Sequence, residues 1–155
     1  MDLTINLTVA ELADIDRIAL DLYERRKHQK HHGPPRTPEQ LIAFNKLGMM
    51  GEVALSKHLG IPYSSLTLYD PSVPDVGECQ VKTTRPGWDL KVKAVDRNHH
   101  PPTRLYVLAW AMVGQRQVTL VGWETLGNVI REELWHPELD LYLKPHDTLR
   151  DMADL

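Results

Sequence analysis

The sequence predicts one α/β domain, on three observations. Apolar residues recur at helical spacing as far as residue 60 and alternate at strand spacing after it. The chain has 155 residues, 42% hydrophobic and 25% charged, a size and composition that suit a single soluble domain with one core. No repeat, low-complexity stretch or linker divides it, so residues 1–155 read as one unit.

The first helix is announced by Thr8 and Glu11, spaced as a capping box in which hydroxyl and carboxylate each satisfy an unpaired N–H. Val9, Leu12, Ile15, Ile18, Ala19 and Leu22 then line one face, predicting an amphipathic helix over 9–31 that Gly33-Pro34-Pro35 stops. A second helix starts at Thr37 as N-cap, with Pro38 in the first helical position and Glu39 next, and ends at Gly60. Leu41, Ile42, Phe44, Leu47, Met50, Val53, Ala54 and Leu59 supply its apolar stripe. Gly48 and Gly51 inside it cost roughly 1 kcal/mol each relative to Ala, so another element is expected to press close there.

Beyond Gly60 the predicted elements are short. Leu66–Tyr69 reads as a strand, Asp70–Pro74 as a turn, Cys79–Thr84 as a strand and Trp88–Val95 as another. Asn98–Pro102 reads as a loop. Leu105–Val113 is nearly all apolar, as a central strand covered on both faces should be. Gly114-Gln115 turns into a strand over Val118–Trp123, and 124–134 reads as a helix. Residues 135–155 form a C-terminal extension containing Leu139–Leu143 and Leu149–Leu155.

Formal net charge is −3, which does not advertise a polyanion binder, but the charge is unevenly spread. Arg25, Arg26, Lys27, Lys30 and Arg36 lie in one stretch with His28, His31 and His32 and no acid. Lys82, Arg85, Lys91, Lys93, Arg97 and Arg104 face only Asp89 and Asp96, while eight acids follow from Glu124 onward. Such polarity gives one face the field that an anionic partner needs, or else marks a plain solvated surface. His28 and His32 have zinc spacing, but nothing completes a ligand set. The lone Cys79 excludes an internal disulfide; without a signal-like start or a membrane-length apolar run, the chain is expected to be cytoplasmic.

The chemistry concentrates in Pro74-Asp75-Val76-Gly77-Glu78-Cys79-Gln80-Val81-Lys82-Thr83-Thr84. Alternation along a strand puts Glu78, Gln80 and Lys82 on one face, with Asp75 just upstream. Unpaired charges in a row are costly in a core but sensible around a hard cation, which wants oxygen ligands. A neighbouring lysine then positions or activates water for attack on a phosphodiester. The competing reading is a structural ion pair between Asp75 and Lys82.

Pro-Asp followed by Gln-Val-Lys-Thr-Thr-Arg resembles the PD-(D/E)XK nuclease superfamily, over roughly residues 38–134. The resemblance implies a restriction-endonuclease-like α-β-β-β-α-β core, a mixed sheet flanked by helices, with an extra N-terminal helix here. It places the family's helix acid at Glu52, in Gly51-Glu52-Val53, the second acid at Asp75 and the lysine at Lys82. Gln80 stands where the family's third motif has an acid, giving Gln-x-Lys. The apolar strand pair with Gly122-Trp123 before a helix also resembles small phage and restriction-type members. By this resemblance Glu52, Asp75, Gln80 and Lys82 are the catalytic group. Glu52, Asp75, Gln80 and the Val81 carbonyl would hold Mg²⁺ (or Mn²⁺), with Glu78 as a further donor.

The expected activity is hydrolysis of DNA phosphodiester bonds in a bacterial or phage-infected cell, with DNA as partner. A homodimer would let one-strand cutters cut both strands. Arg25, Arg26, Lys30, Arg36, Thr83, Thr84, Arg85, Lys91 and Lys93 are the candidate DNA contacts. Thr83, Thr84 and Arg85 read equally as a strand-end polar cluster, and Lys91 and Lys93 as an exposed strand face. Trp88 is expected in the core rather than against a base; Trp110, Trp123 and Trp135 are expected to pack. Two other functions compete: a nuclease-fold DNA-binding module weakened by Gln80, and a non-enzymatic interaction domain.

Overall fold

Capping decides where the helices begin, and both begin where the sequence places them. The structure, a computed structural model, describes residues 2–29, 34–63 and 72–155. Helix α1 (Val9–Arg26) starts with a reciprocal box, Glu11 N–H donating to Thr8 Oγ1 at 3.1 Å and Thr8 N–H to Glu11 Oε2 at 2.9 Å. It ends five residues before the expected position 31, in a turn where Gln29 N–H donates to the Arg26 carbonyl at 2.9 Å. Residues 30–33 lie outside the described residues, and Lys30, His31 and His32 with them. Helix α2 (Pro38–Leu59) runs as expected; the box partner of Thr37 is Gln40, and Gly60 closes it at φ 64°.

Among the described residues the strands form two sheets rather than one. The larger has the order β1-β5-β4-β2, built from β1 (Leu3–Asn6), β2 (Cys79–Thr84), β4 (Leu105–Ala111) and β5 (Gln117–Thr125). It is mixed: β2 and β4 run parallel, while β4/β5 and β1/β5 are antiparallel. Strand β1 was not expected; Leu3 and Ile5 alternate with Thr4 and Asn6, a pattern too short to stand out before the capping box. β4, paired on both sides, is the buried centre that its apolar run predicts. It ends at Ala111, because Met112 and Val113 already belong to the exposed hairpin.

The smaller sheet is antiparallel, in the order β3-β7-β6: β3 (Leu90–Lys93), β6 (Trp135–His136) and β7 (Leu141–Lys144). Thus α2, with α1 packed against it, covers one face of the large sheet, and the small sheet together with a single helical turn at 126–129 covers the other. Met49, Met50, Leu55, Val81, Val107 and Leu120 fill the helix-side core. Leu90, Val92, Tyr106, Leu108, Val121 and Tyr142 fill the core between the sheets.

Two further stretches differ from expectation. The strand expected over 88–95 shrinks to β3, between a turn at Gly87 (φ 86°) and the one-turn helix α3 (Asp96–His99), which takes the start of the expected loop. The helix expected over 124–134 is a single turn, α4 (Leu126–Val129), followed by a 3₁₀ turn at Glu132–Leu134. Gly127 holds α4 close to the preceding loop: its N–H donates to the Pro102 carbonyl at 2.8 Å. The strand expected at Leu66–Tyr69 falls within 64–71, outside the described residues. Among the described residues no helix is long and apolar enough to cross a membrane.

Candidate metal centre and the adjoining groove

Gly51 fixes the distance between α2 and β2. A Cβ built on it would stand 2.0 Å from Thr83 Oγ1 and 3.0 Å from Val81 Cγ1, so only glycine allows this approach. Gly48 has no such role, since a Cβ there meets nothing within 4 Å. The expected close approach therefore holds at one of the two glycines. It carries the next residue, Glu52, down to a buried position 6% exposed.

Asp75 arrives through a very short hairpin. Val76 and Cys79 exchange backbone hydrogen bonds of 3.1 and 2.8 Å around Gly77 (φ 57°) and Glu78. This single bridge turns the chain so that Asp75 lies alongside the start of β2. Its Oδ2 accepts from Val81 N–H at 2.8 Å and from Gln80 Nε2 at 3.2 Å. The amide nitrogen of Gln80 faces that carboxylate, and among the described residues its Oε1 is buried without a hydrogen-bond partner. Glu52 Oε2 is likewise buried and unpartnered. Glu78, by contrast, sits exposed on the turn, not in a strand beside Gln80, and the structure does not bring it into this group.

Among the described residues β2 is the terminal strand of its sheet, which lets the site gather groups from both faces. Val81 and Cys79 face the helices, whereas Gln80 lies in register with Tyr106 on the other face. Burial, then the like charge of Asp75, pushes the Glu52 carboxyl well above the usual carboxylate range. Burial also raises Asp75, against the lowering pull of the Val81 N–H, Lys82 and Gln80, with Asp96 adding to the rise.

The buried Glu52 carboxyl beside half-buried Asp75, with unpartnered oxygens on Glu52 and Gln80, is unfavourable as it stands, and a cation would relieve both defects. The donors fit a hard divalent ion: Glu52, Asp75, the Gln80 amide oxygen and the Val81 carbonyl, on the same strand edge as the N–H that meets Asp75. Among the described residues no group of three or more His, Cys, Asp or Glu could hold a metal. The third side-chain ligand would therefore have to be Gln80.

Sequence reasoning missed Asp96 and Tyr106. Lys82 Nζ is 3.4 Å from Asp96 Oδ2, which also accepts from Lys93 N–H at 3.0 Å. Lys82 is thus paired with Asp96, not locked against Asp75. The available signal was an acid retained inside a basic segment. Tyr106 is fully buried with an unpartnered hydroxyl, and its ring centre lies 5.6 Å from Lys82 Nζ.

The candidate DNA contacts divide. Lys82, Thr84, Lys91 and Lys93 line a groove of about 360 Å³ with Phe44 and Asp89. Lys91 and Lys93 project from one face of β3, opposite the buried Leu90 and Val92. Thr83 also lines the groove, but its hydroxyl contacts the Gly48 carbonyl at 3.4 Å, so it serves helix packing. Arg85 lines a different, more apolar depression. Arg25 pairs with Asp21 at 3.0 Å, and Arg25 and Arg26 lie in the last turn of α1. Arg36 stacks over Phe44, 4.3 Å from the ring centre. Trp88 is 48% exposed rather than core, while Trp123 is buried and Trp110 and Trp135 are half-buried.

Comparison with known proteins finds no match of any kind: no family model, no curated protein and no solved structure.

Proposed function

We propose that the chain is a divalent-metal-dependent nuclease of the PD-(D/E)XK type, hydrolysing DNA phosphodiester bonds. One observation carries the reading: Glu52 and Gln80 hold buried, unpartnered oxygens beside Asp75. A helix bearing the acid, a tight turn bearing Asp75 and a strand bearing Gln80 and Lys82 also follow the superfamily's order, which supports a restriction-endonuclease-like core. Glu52, Asp75, Gln80 and the Val81 carbonyl would hold Mg²⁺ or Mn²⁺. A bound ion of this kind supplies charge neutralisation at the phosphodiester and a more acidic water. Lys82, steadied by Asp96, orients the attacking water from the groove side. The neutral Gln80 leaves two carboxylates in the ligand set, so the ion binds less tightly than at a three-carboxylate site.

The test is cleavage of labelled single-stranded, duplex, flapped and four-way DNAs in Mg²⁺, Mn²⁺ or EDTA, with Lys82→Ala alongside. EDTA-sensitive cutting should fall by about 100-fold or more in the variant. Cleavage at the wild-type rate by Lys82→Ala sinks the role given to Lys82. No cutting of any substrate moves the reading to a DNA-binding module, which the neutral Gln80 favours.

A further inference from the structure

We propose that the groove beside Lys82 binds an unpaired, single-stranded segment of DNA, stacking bases on Trp88 and Phe44 and pairing phosphates with Lys91 and Lys93. The inference rests on the nuclease reading, since the groove matters as the approach to Lys82.

Phe44 is the chain's single phenylalanine, and it stands 51% exposed on α2 at the groove. Trp88, 48% exposed, immediately precedes Asp89 of the groove lining and reaches the same groove through Lys91. Each ring carries a cation: Lys91 Nζ lies 3.9 Å from the centre of Trp88, and Arg36 Cζ 4.3 Å from that of Phe44. Scattered exposed aromatics need no explanation, but two capped by cations beside one cationic groove form a surface. The Trp88 backbone is pinned, its carbonyl accepting from Trp110 Nε1 at 2.8 Å, so the ring is offered from a fixed point. Asp89, the acid of the groove wall, is engaged by His146, through Nδ1 at 2.8 Å and backbone N–H at 2.9 Å. Lys82, Lys91 and Lys93 outnumber Asp89 in the lining, so the groove is cationic on balance.

Lys91 and Lys93 share one face of β3, which places them about 6.7 Å apart along the strand, a match for successive phosphates. The aromatic rings decide the form of the DNA. A base offers its face to a side chain only when no neighbouring base covers it, so stacking selects unpaired, splayed nucleotides over duplex. Phosphate contacts alone would not make that distinction.

The test measures binding of the full chain in EDTA, without turnover, to a labelled single strand, its duplex, and a strand with abasic sites. The single strand should bind at least about tenfold tighter than the duplex. Trp88→Ala and Phe44→Ala should each weaken it by about tenfold, while barely changing binding to the abasic strand. Circular dichroism of both variants checks that they fold. Duplex binding as tight as single-strand binding overturns the proposal, and so does an equal loss on normal and abasic strands. A preference for RNA of the same sequence overturns the assignment to DNA.

Cleavage is read separately. A base-dependent signature with no metal-dependent cutting leaves the groove standing and removes the nuclease. Duplex cutting indifferent to Trp88 does the opposite.

Discussion

Glu52 and Glu124 are equally buried, at 6% and 5% exposure, yet the fold treats them in opposite ways. Glu124, near the end of β5, is answered from several sides. Thr125 N–H donates at 2.9 Å and Asn128 Nδ2 at 3.0 Å, with Arg150 Nε at 3.2 Å and Lys144 Nζ at 3.8 Å. Burial works against its charge, but these donors outweigh it and hold the carboxyl below its usual range. Glu52 meets burial and the like charge of Asp75, and its Oε2 has no partner. A carboxylate that serves the fold is one the fold satisfies. On the reading proposed above, a bound cation would complete Glu52 where the fold does not.

Substitution is the most forceful way to break this contrast. In EDTA, Glu124→Ala should cost about 3 kcal/mol of stability, by stranding the cations around it. Glu52→Gln should be neutral or stabilising by about 1 kcal/mol, because it removes an unsatisfied buried charge. Adding Mn²⁺ should narrow the gap between them. At 100 times its dissociation constant the ion adds about 2.7 kcal/mol to the wild type and to Glu124→Ala, and far less to Glu52→Gln. Urea midpoints with and without metal measure all of this. If Glu52→Gln proves as damaging in EDTA as Glu124→Ala, Glu52 is structural and the metal centre falls.

The sequence disclosed the two sites unequally, for a physical reason. Local rules carried α1, α2, β2 and the centre of β4, since caps, prolines and periodicity lie next to the residues they govern. Asp75, Gln80 and Lys82 stood out because carboxylate, amide and ammonium sit within eight residues of one another. Asp96 and Tyr106 did not, because their meaning depends on β3–α3 returning across the sheet and on the parallel register of β2 with β4. Glu78 was misplaced for a related reason: alternation was extended past the point where Gly77 turns the chain. The short helix α4 failed to show because its first turn is anchored by the Arg104 and Pro102 carbonyls, far away in sequence. Trp88 was assigned to the core by residue type, though the Pro86-Gly87 turn lifts it out.

Acidity sharpens the same contrast with a smaller effect. The folded state holds the Glu52 proton more tightly than the unfolded chain does. Stability from Glu52 is therefore full below the ordinary carboxylate value and is lost as pH rises through the raised folded value. Asp75 is shifted in the same direction and steepens that loss. Glu124 has the opposite sign: its contribution is full above the ordinary value and disappears as pH falls through the lowered folded value. Urea midpoints in EDTA should therefore decline from mildly acidic solution towards neutrality, and Glu52→Gln should flatten that limb while leaving the acid-side loss intact. A wild-type profile with no decline towards neutrality would mean that Glu52 is ionised without strain.

The finest comparison lies one turn of helix apart. Gly51→Ala drives a methyl group into Thr83 and Val81 and should cost about 1–3 kcal/mol. Gly48→Ala meets open space and should gain up to about 1 kcal/mol, the ordinary preference of a helix for alanine. Their effects on the metal should differ as well. Moving α2 off β2 carries Glu52 away from Asp75, so Gly51→Ala should blunt the Mn²⁺ stabilisation beyond its cost in EDTA, while Gly48→Ala leaves it whole. If both variants respond to Mn²⁺ like the wild type, the close approach at Gly51 serves packing alone, and Glu52 reaches the ion without it.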